Sequence, residues 1–154
     1  MEKIDQVAAK LTRVGAICDT GYAFAIHIRY TRPSLLYRTY SKDWIDYYSE
    51  HGLMLTDPVV RWGLGNTGLM SWAALKSDDP AGVIASAQRF GLENGVSYSV
   101  GPVESRTLAG FTKSGAAFTD EELAELTMIS NSLHDLTEGL DQFDPAVLDA
   151  LRAL

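Results

Sequence analysis

At 154 residues, with 46% hydrophobic and 21% charged side chains, the chain has the size and composition of one soluble domain, able to bury about 70% of its unfolded surface. Twenty acidic against 13 basic residues leave a formal charge of -7 without a Lys/Arg cluster, which argues against nucleic acid as a direct partner of this chain. No apolar run reaches membrane-spanning length and no signal-peptide h-region opens the chain; with Cys18 as the single cysteine, the expectation is a cytoplasmic protein without membrane contact.

Ile4, Val7, Ala8, Leu11 and Val14 recur at three and four residues, predicting an amphipathic helix over roughly 2–17. Asp19-Thr20-Gly21 breaks it. Tyr22, Phe24, Ile26, Ile28 and Tyr30 then alternate as the buried face of a strand, with His27 and Arg29 on the other face. Arg32-Pro33-Ser34 reads as a turn, and Leu35 to Tyr40 as the returning strand of a hairpin. Ser41 is a fitting N-cap for a helix over 41–53, and Thr56-Asp57-Pro58 opens a second, shorter one with Pro58 at its first position. Gly63, Gly65 and Gly68 predict a loop with no phosphate-binding frame. Ser77-Asp78-Asp79-Pro80 starts a helix whose apolar stripe is Val83, Ile84, Ala87, Phe90 and Leu92. Strands follow over 96–100 and 106–112, joined through Gly101-Pro102. Thr119 and Glu122 form a capping box before a long helix to about Glu138, and Asp144-Pro145 opens a last helical stretch.

Within 40–72 the aromatics concentrate around one Asp-Pro pair. Tyr40, Trp44 and Tyr48 fall four residues apart, which on a helix brings Trp44 and Tyr48 onto one face with Tyr40 at its start. Such rings are either plain core or a box whose indole and phenol donors grip the carbonyls of a neutral, greasy molecule. Asp57 has two compatible readings, as helix cap and as acceptor for a ligand N–H. The histidines His27, His51 and His134 lie far apart without zinc-type spacing, and no nucleophile elbow is present, so neither a metal site nor catalysis is expected.

The constellation Tyr40, Trp44, Tyr48, Asp57-Pro58-Val59-Val60 and Trp72, with its gaps, resembles the autoinducer-binding domain of LuxR-type quorum-sensing regulators. The stretch Phe90 to Pro102, FGLENGVSYSVGP, continues the resemblance, which covers about 15–138. It implies an α+β fold, an α-β-α sandwich on a central antiparallel sheet of about five strands; the periodicities alone give four strands and leave one unplaced. It also implies an N-acyl-homoserine lactone ligand and no cofactor. The residues matching the family's motif assign Trp44 to the lactone carbonyl, Asp57 to the amide N–H and Tyr40 to the acyl carbonyl. Tyr48 and Trp72 would wall the site, Thr112 would match a polar strand residue, and Val60, Val83 and Leu92 would line the acyl chain.

Ser41 and Ser99 stand where the family commonly has proline. The resemblance implies a domain over 1–140, with 141–154 as a linker or the start of a helix-turn-helix domain that this chain does not complete. A trimmed segment of a regulator is one reading. The other is a stand-alone domain that senses a different small molecule, or that modulates full-length regulators by dimerising with them. Leu126, Ile129, Leu133, Leu136 and Leu140 repeat as a seam that would serve such a homodimer or heterodimer, or equally pack on the sheet.

Overall fold

The structure is a computed structural model and describes residues 2–154. Helix α1 (Glu2–Ile17) leads into the hairpin β1 (Tyr22–Arg29) and β2 (Arg32–Arg38), followed by α2 (Lys42–Glu50), a 3-10 turn over Leu53–Thr56 and α3 (Pro58–Gly65). Next come β3 (Gly68–Ser71), α4 (Trp72–Leu75), α5 (Val83–Arg89), β4 (Val96–Val100) and β5 (Arg106–Phe111). Helices α6 (Asp120–Leu136) and α7 (Pro145–Arg152) complete the chain. The five strands form one antiparallel sheet in the order β2-β1-β5-β4-β3, with helices on both faces. This is the α+β sandwich that the resemblance implies, and β3 is the strand that periodicity left unplaced.

Local chemistry sets most of the helix starts. Ser41 Oγ accepts the Trp44 N–H at 3.3 Å, Asp57 caps α3 through Val59, and Thr119 and Glu122 close a reciprocal capping box. Asp79 acts at longer range. Its two carboxylate oxygens each accept at 2.9 Å, from the Val83 and Ile84 N–H groups, so the expected start at 77–80 caps a helix that begins at Val83.

Three expectations are corrected. The hairpin turns at Tyr30-Thr31, with Tyr30 at φ 59 and fully exposed, so Arg32-Pro33-Ser34 begins β2. Gly63 and Gly65 lie in α3, and at Gly63 the helix passes so close to the sheet that a Cβ would come within 2.3 Å of Leu108. Finally, β1 carries a bulge between Ala25 and Ile28, with His27 at φ 48. The extra residue turns the His27 ring toward α6 and moves Ile28 to the face it shares with its partner, Arg106.

One face of the sheet holds an apolar core built from Phe24, Ile26, Phe111, Val7 and Val14, with Leu126 and Leu133 of α6. Leu126, Ile129, Leu133 and Leu140 of the leucine seam are buried in this core, with Leu136 packed against it. Helix α7 joins the same core through fully buried Leu151, whose carbonyl accepts the Tyr37 hydroxyl at 2.6 Å. The opposite face carries a second cluster of Trp44, Leu53, Trp72, Val83, Ile84, Ala87 and Leu92.

Candidate functional site

The register of the sheet lays out the floor of the second face. Arg38, Ala23, Gly110, Ser97 and Met70 form one row across the strands, and Leu36, Ala25, Leu108, Ser99 and Gly68 the next. Over β5 and β4 this floor is small and polar: Gly110 lies between Ala23 and Ser97, and Ser97 and Ser99 are both buried.

Above it stand the aromatics. Trp44 meets Tyr48 edge-on at 5.6 Å between centroids, stacks with Tyr47 at 6.0 Å and lies 5.4 Å from Phe90. Asp57, buried at the start of α3, accepts the Val59 N–H on Oδ1 and the Tyr48 hydroxyl on Oδ2, both at 2.8 Å. The sequence reading leaves one of its oxygens free; here each already has one partner, and the acceptor capacity left is the second lone pair of each. Burial pushes the Asp57 carboxyl above the ordinary carboxylate range, opposed by the bonds from Tyr48 and Val59. Burial, then the adjacent Asp57 charge, raises the Tyr48 phenol.

Tyr40 and Trp72 close the site from the sheet side. A Cβ at Gly110 would fall 2.9 Å from the Tyr40 hydroxyl and 3.5 Å from the Trp72 ring. Trp72 lies flat against Gly95, where a Cβ would come within 2.1 Å of the indole, and its Nε1 donates to Ser97 Oγ at 2.8 Å. The Tyr40 hydroxyl is buried without a partner, and burial drives its pKa upward. Among the described residues only two other buried side-chain polar atoms share that condition, Arg106 Nε and Thr127 Oγ1. An unpaired buried hydroxyl costs about 1–3 kcal/mol, which marks this spot as one where the fold is not optimised for its own stability.

The structure brings Tyr40, Trp44, Tyr48, Trp72, Val83 and Leu92 into one cluster with Asp57 bonded to it through Tyr48. Val60 sits half-buried on α3, outside that cluster. Thr112 does not join them: it follows the end of β5, where its hydroxyl donates to Gly21 O at 3.0 Å and accepts from Thr20 at 2.8 Å. The sequence reading missed Ser97, Gly110 and Tyr47. The available signal was β4 itself, where Ser97 and Ser99 alternate with Val96, Tyr98 and Val100. Hollows of about 470 and 440 Å³ occur elsewhere, between α1 and the chain end and on the far side of Trp72; Tyr40, Trp44, Tyr48 and Asp57 line neither.

The histidines are also rearranged in space. His27 and His134 stack at 4.2 Å, both buried, while exposed His51 stacks on Tyr47 at 4.0 Å. His27 Nε2 faces the His134 carbonyl at 2.9 Å and must carry its proton, so Nδ1 accepts from the Ser105 hydroxyl at 2.7 Å. Among the described residues no group of three or more potential ligands is placed to hold a metal ion.

A family model described as the autoinducer binding domain matches residues 17–136. The transcriptional activator protein SolR of Ralstonia nicotianae is 26% identical over 121 residues, 77% of this chain and 51% of SolR, so the chain spans about half that relative's length. SdiA in complex with octanoyl-rac-glycerol superposes with a TM-score of 0.65 at 17% identity, over 91% of this chain and 59% of that one. CepR2 of Burkholderia cenocepacia, described as an N-acylhomoserine lactone dependent LuxR family transcription factor, gives 0.62 at 14% identity, over 90% and 92% of the two chains. The two structures share this fold.

Proposed function

The chain belongs to the autoinducer-binding domain family of LuxR-type quorum-sensing regulators, and from that premise we propose that it binds an N-acyl-homoserine lactone on the aromatic face of its sheet. The observation that carries the reading is the convergence of a partnerless buried Tyr40 hydroxyl with buried Asp57 in one cluster of rings. A neutral ligand with one amide N–H and two carbonyls complements that set. Tyr40 donates to the acyl carbonyl, Trp44 to the lactone carbonyl, and Asp57 accepts the amide N–H, a charge-assisted bond worth ~1.5–3 kcal/mol. Tyr48 holds the carboxylate in place and, with Trp72, walls the ring, while Val60, Val83 and Leu92 take the acyl chain, each buried CH₂ adding ~0.8 kcal/mol.

The role that follows is signal reception for transcription in the bacterial cytoplasm, with DNA contact made outside this chain and pairing with a second copy or a full-length regulator as the means of output. No helix among the described residues is long and apolar enough to cross a membrane. The second reading replaces the lactone by a neutral acyl ester, and the octanoyl-rac-glycerol in the SdiA structure favours it. An ester keeps the carbonyl for Tyr40 and offers Asp57 a hydroxyl in place of the amide.

Melting temperature measured with a panel of acyl-homoserine lactones and with octanoylglycerol tests both readings, since a ligand that binds only the folded state raises it. The expected result is a chain-length-dependent rise with the lactones, lost in Asp57→Ala and Trp44→Phe. A rise with octanoylglycerol alone favours the ester, and no rise from either removes the proposal.

A further inference from the structure

The hollow of about 440 Å³ on the far side of Trp72 has the size of a small-molecule site, and none of Tyr40, Trp44, Tyr48 and Asp57 lines it. It lies where the two layers meet. Trp72 and Leu92 of the aromatic cluster wall it on one side and Phe118 of the apolar core on the other, with Ile84, Val96 and Leu123 completing an apolar body.

Three polar side chains enter this lining, and each keeps unused hydrogen-bonding capacity. Lys76, just past α4, is in no ion pair among the described residues; its ammonium donates to Gln88 Oε1 of α5 at 3.3 Å. That bond leaves the Gln88 amide N–H groups free beside the ammonium. Asn94, just before β4, donates from Nδ2 to the Lys113 and Gly115 carbonyls at 2.9 and 3.2 Å, which leaves its Oδ1 without a partner among the described residues. The acids next to these groups in sequence are engaged or stand outside: Asp78 pairs with Arg61, Asp79 caps α5, and exposed Glu93 is not part of the lining.

We propose that this hollow is a second ligand site, one that takes a small aromatic monocarboxylate. The carboxylate sits on the Lys76 ammonium and the Gln88 amide, the ring lies against Trp72 and Phe118, and a ring hydroxyl donates to Asn94 Oδ1. Two aromatic walls favour a ring over an aliphatic chain of the same size. A single ammonium on a chain of formal charge -7 favours one negative charge over several. The assignment does not rest on the lactone reading. Trp72 is common to both spaces, so an occupant here touches a residue that closes the aromatic site.

The test is titration with 4-hydroxyphenylacetate and its neutral counterpart 4-hydroxyphenylethanol, followed by methyl NMR shifts, in wild type, Lys76→Met and Ala117→Trp. Ala117 is an exposed residue of the lining, so the substitution there fills the hollow from the surface. The expected result is a saturable shift concentrated at the Ile84, Val96 and Leu123 methyls, with a Kd of about 0.1–1 mM for a ligand of about ten heavy atoms. Lys76→Met is expected to weaken the acid by about five- to tenfold and to leave the alcohol unchanged, and Ala117→Trp to abolish binding of both. Equal affinity of acid and alcohol in wild type overturns the carboxylate assignment. Shifts concentrated at Leu53 and Val59 put the acid on the aromatic face and overturn the second site. Absence of saturation up to about 10 mM, in protein whose spectrum is that of a folded chain, overturns it as well. Each of these results leaves the lactone reading standing, since no lactone is present.

Discussion

Phe24, Ile26, Phe111, Leu126 and Leu133 fill one face of the sheet with apolar side chains sealed from solvent. The other face is covered by Trp44, Trp72, Tyr40 and Tyr48 over a floor of Ser97, Ser99 and Gly110, with Asp57 buried beside them. Both faces bury rings, yet among the described residues two of the three partnerless buried side-chain polar atoms, Tyr40 Oη and Arg106 Nε, lie on the second. The first face is where the fold gains its stability. The second gives up part of that gain by leaving buried polar groups unpaired, as the proposed ligand site requires and a core built of similar residues would not.

Truncating the first face should produce the largest effect. Phe111→Ala removes a fully buried ring flanked by Phe24 at 5.6 Å, and is expected to lower the unfolding free energy by about 3–5 kcal/mol in chemical denaturation. Ligand affinity of the molecules still folded should be unchanged within about twofold. A large affinity loss there would mean that the two faces are not separable. Next in size is Asp57→Ala, expected to weaken lactone binding by about 10–100-fold, equivalent to ~1.5–3 kcal/mol, while loss of the helix cap costs ~0.5–2 kcal/mol of stability. Calorimetric titration beside a denaturation curve separates the two numbers. Tyr40→Phe should give opposite signs: unliganded stability rises by about 1 kcal/mol as an unpaired buried hydroxyl is removed, and lactone affinity falls. A destabilised Tyr40→Phe would show that the hydroxyl is satisfied in solution and that the contrast between the faces is weaker.

The separation was partly legible in the sequence. Caps act within a few residues, so Ser41, Asp57 with Pro58, and the Thr119–Glu122 box could be read directly. The four-residue spacing of Tyr40, Trp44 and Tyr48 marked the aromatic face, and the alternation in 22–26 marked the other. What escaped depends on partners distant in sequence. The bulge at His27 is stabilised by Thr107, whose hydroxyl accepts the His27 N–H at 3.1 Å across 80 residues. Gly63 looked like a loop residue because a helix needs glycine there only once Leu108 stands beneath it. Thr112 was carried over from the family's motif, but its hydroxyl is engaged by Gly21 and Thr20. Arg106 is buried with bonds to the Gly63 carbonyl of α3 and to the Asn66 carbonyl just past its end, which no local pattern announces.

The smallest expected effect separates the faces by pH. On the apolar side His134 lies buried against His27, with Thr107 on its Nδ1 at 2.6 Å. Its pKa is held below the ordinary 6.5, first by burial and then by the neighbouring imidazole, with Glu138 and Asp135 pulling weakly the other way. Above 6.5 both the folded and the unfolded chain carry it neutral, so its contribution is complete; as pH falls below 6.5 the unfolded chain takes a proton that the folded one resists, and stability declines. Asp57 works in the opposite sense, since burial raises its folded pKa above the ordinary carboxylate value: the folded chain takes up the proton first, and that side gains stability as the carboxylate titrates. The carboxylates held low by partners, Glu122 and Glu125, lose their contribution only as pH falls through values below their ordinary 4.5. As pH falls through 6.5 the histidine's contribution is therefore lost, and the denaturation midpoint of wild type should fall. In His134→Gln, which keeps a polar group beside Thr107 without a titrating one, that dependence should flatten. An unchanged slope in the variant would show that the stacked pair does not control acid sensitivity.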